Sequence, residues 1–193
     1  MATGLNDNEL ISRVLKGDQQ AFAGLVSRYQ NYAFTLALRM VKTREDAEEI
    51  AQDAFIKAYK YLADFKGESR FSTWLYTIVN NTTISFLRKK KLEIHSLDNK
   101  KVFEYTANKE SGMYANTIEQ KSRQAMVNEA ISLLNPEDAR IITLFYKAEQ
   151  SLEETAAILG IEVNAAKVRL FRARTRLKER METNFAEEVK NLN

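Results

Sequence analysis

The sequence predicts an all-α protein of two small helical domains joined by a flexible linker. Three observations carry this. Apolar residues recur at three- and four-residue steps along most of the chain, and no stretch alternates with the two-residue period of a strand. Hydrophobic residues make up 45% of the 193, which is enough for buried cores and too apolar for a disordered chain. A single proline, Pro136, leaves too few turn residues for a many-stranded sandwich or barrel.

The elements follow in order. Asn6-x-x-Glu9 has the form of a capping box and opens a short helix that runs to Leu15 before Gly17 stops it. Asp18 caps a second helix, in which Phe22, Leu25, Val26, Tyr29, Ala33, Leu36 and Met40 share one face. Thr43 is placed to cap a third, whose apolar stripe is Ile50, Ala51, Ala54, Phe55, Ala58 and Leu62. The polar loop 64–70 leads to a fourth helix over Phe71–Lys91, with Leu75, Ile78, Thr82 and Phe86 inward. Its basic end, Arg88 to Lys91, suits the negative pole of the helix dipole.

From Glu93 to about Asn116 the apolar period is lost while Asn, Ser, Lys and Gly112 accumulate, as in a linker. Helical spacing returns at Ile118 and ends near Leu134. Asn135-Pro136 then restarts a helix, with proline at its first position and Ile141, Leu144 and Phe145 on its buried side. Ser151-x-x-Glu154 is a further capping box, opening a short helix that carries Leu152, Ala156 and Leu159 and halts at Gly160. A last helix begins near Val163. Domain boundaries of 1–92, 93–116 for the linker and 117–193 are therefore expected.

Composition narrows the chemistry. Cysteine is absent, which excludes disulfides, thiol nucleophiles and cysteine zinc sites. The one histidine, His95, would have to carry any Ser-His-Asp device alone. No enzyme activity, metal or cofactor is expected. The net charge of +3 is small, yet the charges are segregated. Residues 43–53 hold Glu45, Asp46, Glu48, Glu49 and Asp53 against one arginine, whereas 167–180 hold seven basic residues opposed only by Glu179. Two different partners are implied. No apolar run approaches ~18 residues and no signal-peptide order opens the chain, so a soluble intracellular protein without membrane insertion is the expectation.

Residues 151–178 give the most informative pattern: a short capped helix, the tight turn Leu159-Gly160-Ile161, and a longer arginine-rich helix. This is the outline of a helix-turn-helix, whose second helix enters the major groove. Ala166, Leu170, Ala173 and Leu177 form a stripe for docking on the domain. A helix so docked presents Asn164, Lys167, Val168, Phe171 and Arg172 outward as base-reading candidates. Lysine and arginine donate to guanine, asparagine pairs with adenine, and valine or phenylalanine touches a thymine methyl. Arg169, Arg174 and Arg176 flank that face, where phosphates lie. A solvated basic helix end is the plain alternative; the agreement of turn, caps and face favours DNA.

Two further clusters are less specific. Glu45, Glu49 and Asp53 fall at successive four-residue steps and form one negative stripe. A helical di-metal site would need histidine partners, and none is near, which leaves a solvated face or a docking surface. In the fourth helix Trp74, Tyr76, Asn80, Asn81 and Thr83 lie beside Lys66 and Arg70. Aromatics, amides and cations together can hold unpaired bases, although an aromatic at helical spacing is more often core.

Taken together, three stretches resemble the extracytoplasmic-function (ECF) group of bacterial sigma-70 family RNA polymerase sigma factors: residues 45–55, residues 71–81, and Leu159-Gly160-Ile161 through Arg174. The resemblance implies that Glu45, Glu49, Gln52 and Asp53 dock on the clamp helices of the largest subunit of core RNA polymerase, which replaces the solvated reading of the acidic face. It implies that Phe65, Lys66, Arg70, Phe71, Trp74, Asn80 and Asn81 melt the minus-ten promoter element and hold a flipped base, and that the helix-turn-helix reads the minus-thirty-five element as duplex. Unstacking a base costs a few kcal/mol, so a pocket that captures it turns binding into strand opening. Family habit adds an anti-sigma factor, cytoplasmic location and no catalysis.

The sequence departs from the family pattern in places. Glu162, Asn164, Ala165 and Ala166 stand where proline and then glycine, threonine and valine are common, Val168 where serine is frequent, and Ser85 where aspartate is frequent. The alternative function is a stand-alone helix-turn-helix regulator whose first domain senses a ligand or dimerises.

Overall fold

A computed structural model describes residues 5–41, 43–97 and 118–186, with side chains described for 5–41, 43–92 and 123–186. The described residues contain α1 (Asp7–Leu15), α2 (Gln19–Val41), α3 (Arg44–Lys60), α4 (Phe71–Leu97), α5 (Ile118–Ser132), α6 (Pro136–Ile142), α7 (Leu152–Leu159) and α8 (Val163–Asn184), and no strand among them. A 3-10 turn, Leu62–Asp64, follows α3, and a π-helical stretch, Thr143–Lys147, follows α6. They group into two compact units, one built on α1–α4 together with residues 157–160, the other on the remainder of α5–α8. No described helix is long and apolar enough to cross a membrane.

In the first unit the capping box closes as expected. The Glu9 backbone N–H donates to Asn6 Oδ1 at 3.0 Å and the Asn6 N–H to Glu9 Oε2 at 2.7 Å. Gly17, at φ +98°, makes the turn out of α1 in a conformation that side-chain-bearing residues resist. Asp18 Oδ1 then accepts from the Ala21 N–H at 3.3 Å to start α2. Asp7 receives both the Arg28 guanidinium and the Tyr29 hydroxyl, while Arg28 Nη2 reaches the Leu5 carbonyl at 2.7 Å, so α1 is tied to α2. Burial and the Asp7 carboxylate push the Tyr29 hydroxyl pKa upward.

Thr43 sits at the N-cap of α3, but its hydroxyl makes no cap hydrogen bond. Glu45 and Asp46 in the first turn supply the negative charge that the positive end of the helix favours. The expected stripe of α3 is buried throughout, Leu62 of the following turn included, and its alanines 47, 51, 54 and 58 let α2 and α4 approach closely. Leu10, Leu25, Leu36, Ile50, Leu62 and Leu75 are almost wholly buried around it, each contributing about 1.5 to 3 kcal/mol by removal from water.

On α4 the inward face is wider than the spacing indicated. Leu75 and Thr82 are buried as expected, Ile78 and Phe86 only partly, and Tyr76, Val79 and Thr83 join the core. The helix also continues to Leu97, past the expected end at Lys91, because residues 92–97 contain neither glycine nor proline. It crosses α3 with two polar ties: Lys57 Nζ to Thr82 Oγ1 at 3.2 Å, and Lys90 Nζ to Asp46 Oδ2 at 2.7 Å. Although burial works against ionisation, the hydrogen bond and charge of Lys90 hold the Asp46 carboxyl below the ordinary aspartate range. Residues 98–116 of the expected linker lie outside the described residues.

In the second unit Asn135 caps α6, its Oδ1 accepting from the Asp138 N–H at 2.9 Å, with Pro136 at the first turn. After α6 the chain widens into the π-helical stretch, in which Thr143 and Leu144 are buried, and the Ala148 N–H reaches back five residues to the Thr143 carbonyl at 2.9 Å. Nothing in the apolar spacing announces this. The second capping box also closes, with the Ser151 N–H on Glu154 Oε2 at 2.8 Å and the Glu154 N–H on Ser151 Oγ at 3.1 Å. α7 ends in a Schellman arrangement: Gly160 takes φ +65°, its N–H bonds the Ala157 carbonyl, and the Ile161 N–H bonds the Ala156 carbonyl. A short capped helix, a glycine turn and a long helix therefore succeed one another as expected.

Candidate nucleic-acid interface

α8 begins after Glu162, whose side chain makes no cap bond, and runs 22 residues. Ala166, Leu170 and Ala173 are buried and Leu177 is partly buried, which is the expected docking stripe. The phase of the helix then fixes the rest. Asn164, Lys167, Val168, Phe171 and Arg172 are all exposed. Lys167 and Arg172 enter no ion pair among the described residues, so their charge is directed outward.

The flanking arginines are held differently. Arg176 Nη1 lies 2.6 Å from Oδ2 of the buried Asp138, which also accepts from Asn135 Nδ2 at 2.6 Å. Arg169 Nη2 is 3.6 Å from Oε2 of the exposed Glu137. Arg174 donates to the Tyr146 hydroxyl, with its guanidinium 5.2 Å above the Tyr146 ring and 5.8 Å above that of Phe145. An open groove of about 610 Å³ runs here, with Glu137, Asp138, Asn164, Val168, Arg172 and Arg176 among its walls. Burial lowers the Arg140 guanidinium pKa, opposed by the charge of Glu137. Sequence reasoning missed Glu137, Asp138 and Tyr146 as partners of these arginines. The signal that could have found one is Asp138 itself, a third-position acid after the Asn135 cap.

The acidic stripe of α3 stands clear of the other described residues. Glu45, Glu49, Gln52 and Asp53 are exposed, and no ion pair among the described residues involves them. Their neighbours differ: Arg44 Nε bonds Glu48 Oε1 at 2.8 Å, and Asp46 bonds Lys90.

Between α3 and α4 the loop folds back on the helix it precedes. The Phe65 ring meets Trp74 at 5.2 Å and Phe71 at 5.8 Å, and Phe71 meets Trp74 at 5.7 Å. Phe71 is buried, while Phe65 and Trp74 are half-buried. Lys66, Arg70 and Asn81 are exposed beside them, and Asn80 is buried. The expected set is thus divided into an exposed polar rim, two partly exposed rings, and two buried members.

Described residues without a strand, and a helix-turn-helix whose long helix faces outward with basic and apolar side chains, mark a DNA-binding protein of the helix-turn-helix class. Comparison with known proteins makes this specific. Residues 25–93 match the family described as Sigma-70 region 2, and residues 124–177 the family described as Sigma-70, region 4. The chain is 38% identical to the ECF RNA polymerase sigma-E factor of Escherichia coli K12, over 90% of this chain and 93% of that one. It is 35% identical to the protein of that name from Haemophilus influenzae, over 94% and 98%. Among solved structures it is similar to the sigma factor RpoE of Bartonella quintana, determined with the anti-sigma factor NepR, at 26% identity and a TM-score of 0.69 over 84% of this chain and 98% of that one. The fold is shared with CnrH, determined with the cytosolic domain of CnrY, at 24% identity and a TM-score of 0.63 over 91% and 96%. The chain belongs to the ECF group of the sigma-70 family, the RNA polymerase sigma factors that direct transcription initiation. A stand-alone regulator is not favoured.

Proposed function

We propose that this sigma factor divides its work between two separate surfaces. Residues 1–92 dock on core polymerase and open the minus-ten element, 93–116 link, and 117–193 read the minus-thirty-five element. Glu45, Glu49, Gln52 and Asp53 contact the clamp helices of the largest subunit. Phe65 and Trp74 stack on unpaired bases with Lys66, Arg70 and Asn81 at the rim, Phe71 packs against both rings, and Asn80 completes the minus-ten set from a buried position. On α8, Asn164, Lys167, Val168, Phe171 and Arg172 read bases, and Arg169, Arg174 and Arg176 approach phosphates. The polymerase performs the chemistry, so the sigma factor is no enzyme and takes no cofactor. It acts in the cytoplasm, and an anti-sigma factor competes for its polymerase-facing surfaces, in keeping with the complex known for its Bartonella relative.

The observation that carries this reading is the pair of exposed, oppositely charged helical faces: acidic on α3, basic on the outward side of α8. Opposed charge speeds encounter and selects partners. Gel filtration of the full chain with core polymerase, followed by capture of genomic fragments, tests it. Co-elution with core, and fragment enrichment only when core is present, is the expected result. Enrichment of the same fragments by the chain alone returns the regulator reading.

A further inference from the structure

We infer that α8 recognises a thymine through its C5-methyl group, with Val168 as the specificity-determining side chain and Phe171 beside it. The inference rests on the reading of α8 as the helix that enters the major groove. Val168 is 50% exposed and Phe171 69% exposed, on a face otherwise made of Asn164, Lys167 and Arg172. Their three-residue spacing sets them side by side. One exposed apolar residue is ordinary. Two adjacent ones, on the side of a basic helix away from its buried stripe of Ala166, Leu170 and Ala173, form a patch that the core of the unit does not use.

What such a patch can recognise is narrow. Neither side chain carries a donor or acceptor, so neither can tell base edges apart by hydrogen bonding. The thymine methyl is the apolar group that a base pair displays in the major groove. Valine in a helix keeps one χ1 rotamer in about 90% of cases, so its methyls hold a fixed direction and little freedom is lost on contact. Asn164 and Arg172 lie one turn to either side of Val168, and Lys167 is its neighbour. Donors for adenine or guanine thus flank the apolar centre, and the face fits a thymine beside a purine that accepts hydrogen bonds.

The test uses the full chain with core polymerase. Binding sites are selected from a duplex library randomised upstream of a fixed minus-ten segment, and each thymine of the selected upstream element is then replaced singly by deoxyuridine, which removes only the methyl. At one or two positions the replacement is expected to weaken binding about fourfold, the value of burying one methyl-sized group. Val168→Ala and Val168→Ser should bind the thymine and deoxyuridine duplexes equally, whereas Val168→Ile should keep the difference. Binding indifferent to deoxyuridine everywhere, while Lys167→Ala and Arg172→Ala still change the preferred bases, overturns the methyl inference and leaves α8 as the reading helix. A deoxyuridine effect that persists in Val168→Ala and Val168→Ser overturns the assignment to Val168. A library that returns no enriched upstream sequence overturns the reading of α8 and the inference with it.

Discussion

On α3 the carboxylates of Glu45, Glu49 and Asp53 stand exposed, and no described ion pair engages them; on α8 the arginines 169, 174 and 176 are each engaged by a group on α6 or the π-helical stretch. The difference separates charge that no described ion pair engages, and that is open to a proposed partner, from charge that also ties helices together. Exposed pairs contribute little, roughly 0 to 1 kcal/mol, because water screens them. The Arg169 contact with exposed Glu137, at 3.6 Å, is of that kind and can yield to a phosphate. Arg176, half exposed and paired with the buried Asp138, also holds the fold, since removing it leaves a carboxylate out of water. Lys167 and Arg172, directed outward, are the α8 counterparts of Glu49 and Asp53.

The largest effect is expected on the acidic side. Glu49→Lys with Asp53→Lys should weaken core association on the order of a hundredfold by setting like charges against the partner, with helical circular dichroism unchanged; undiminished co-purification would remove the docking role. On the basic side, Lys167→Ala and Arg172→Ala should each cost ~1 to 3 kcal/mol at particular base pairs, measured on single-position variants of a selected site. A uniform loss across all positions would assign them to phosphates instead.

Arg176→Ala sharpens the contrast within α8. Its expected effect is on stability, ~1 to 2 kcal/mol in denaturant unfolding, with little change in base preference. Asp46→Asn is the smallest, ~0.5 to 1 kcal/mol. Its sign follows from the depressed folded-state pKa: the Asp46–Lys90 tie contributes fully above the ordinary carboxylate range, near ~4, and is lost as pH falls through the lower folded value. Stability of the variant should therefore depend less on pH over that acidic window, as thermal melts across it would register.

Much of this was legible in the residues. Caps at Asn6, Asp18, Asn135 and Ser151 are short-range hydrogen-bond patterns, and the structure closes all four. The buried stripe and outward face of α8 follow from its period alone. What periodicity leaves open is which long side chain is engaged across helices. Arg176 and Arg172 look alike in sequence, yet only Arg176 has an ion pair among the described residues, with Asp138, 38 positions away. The π-helical stretch escaped for a related reason, since one extra residue in a turn leaves no mark on residue type. The burial of Phe71 and Asn80 among the proposed melting residues likewise depends on packing between elements, which helical spacing does not encode.

The two surfaces are proposed to act together through polymerase. Transcription in vitro with core enzyme on a genomic library, with permanganate probing of unpaired thymines, tests this most directly. Discrete start sites and opened minus-ten segments are expected only when chain and core are both present. Specific binding by the chain alone, with neither opening nor transcripts when core is added, would contradict it.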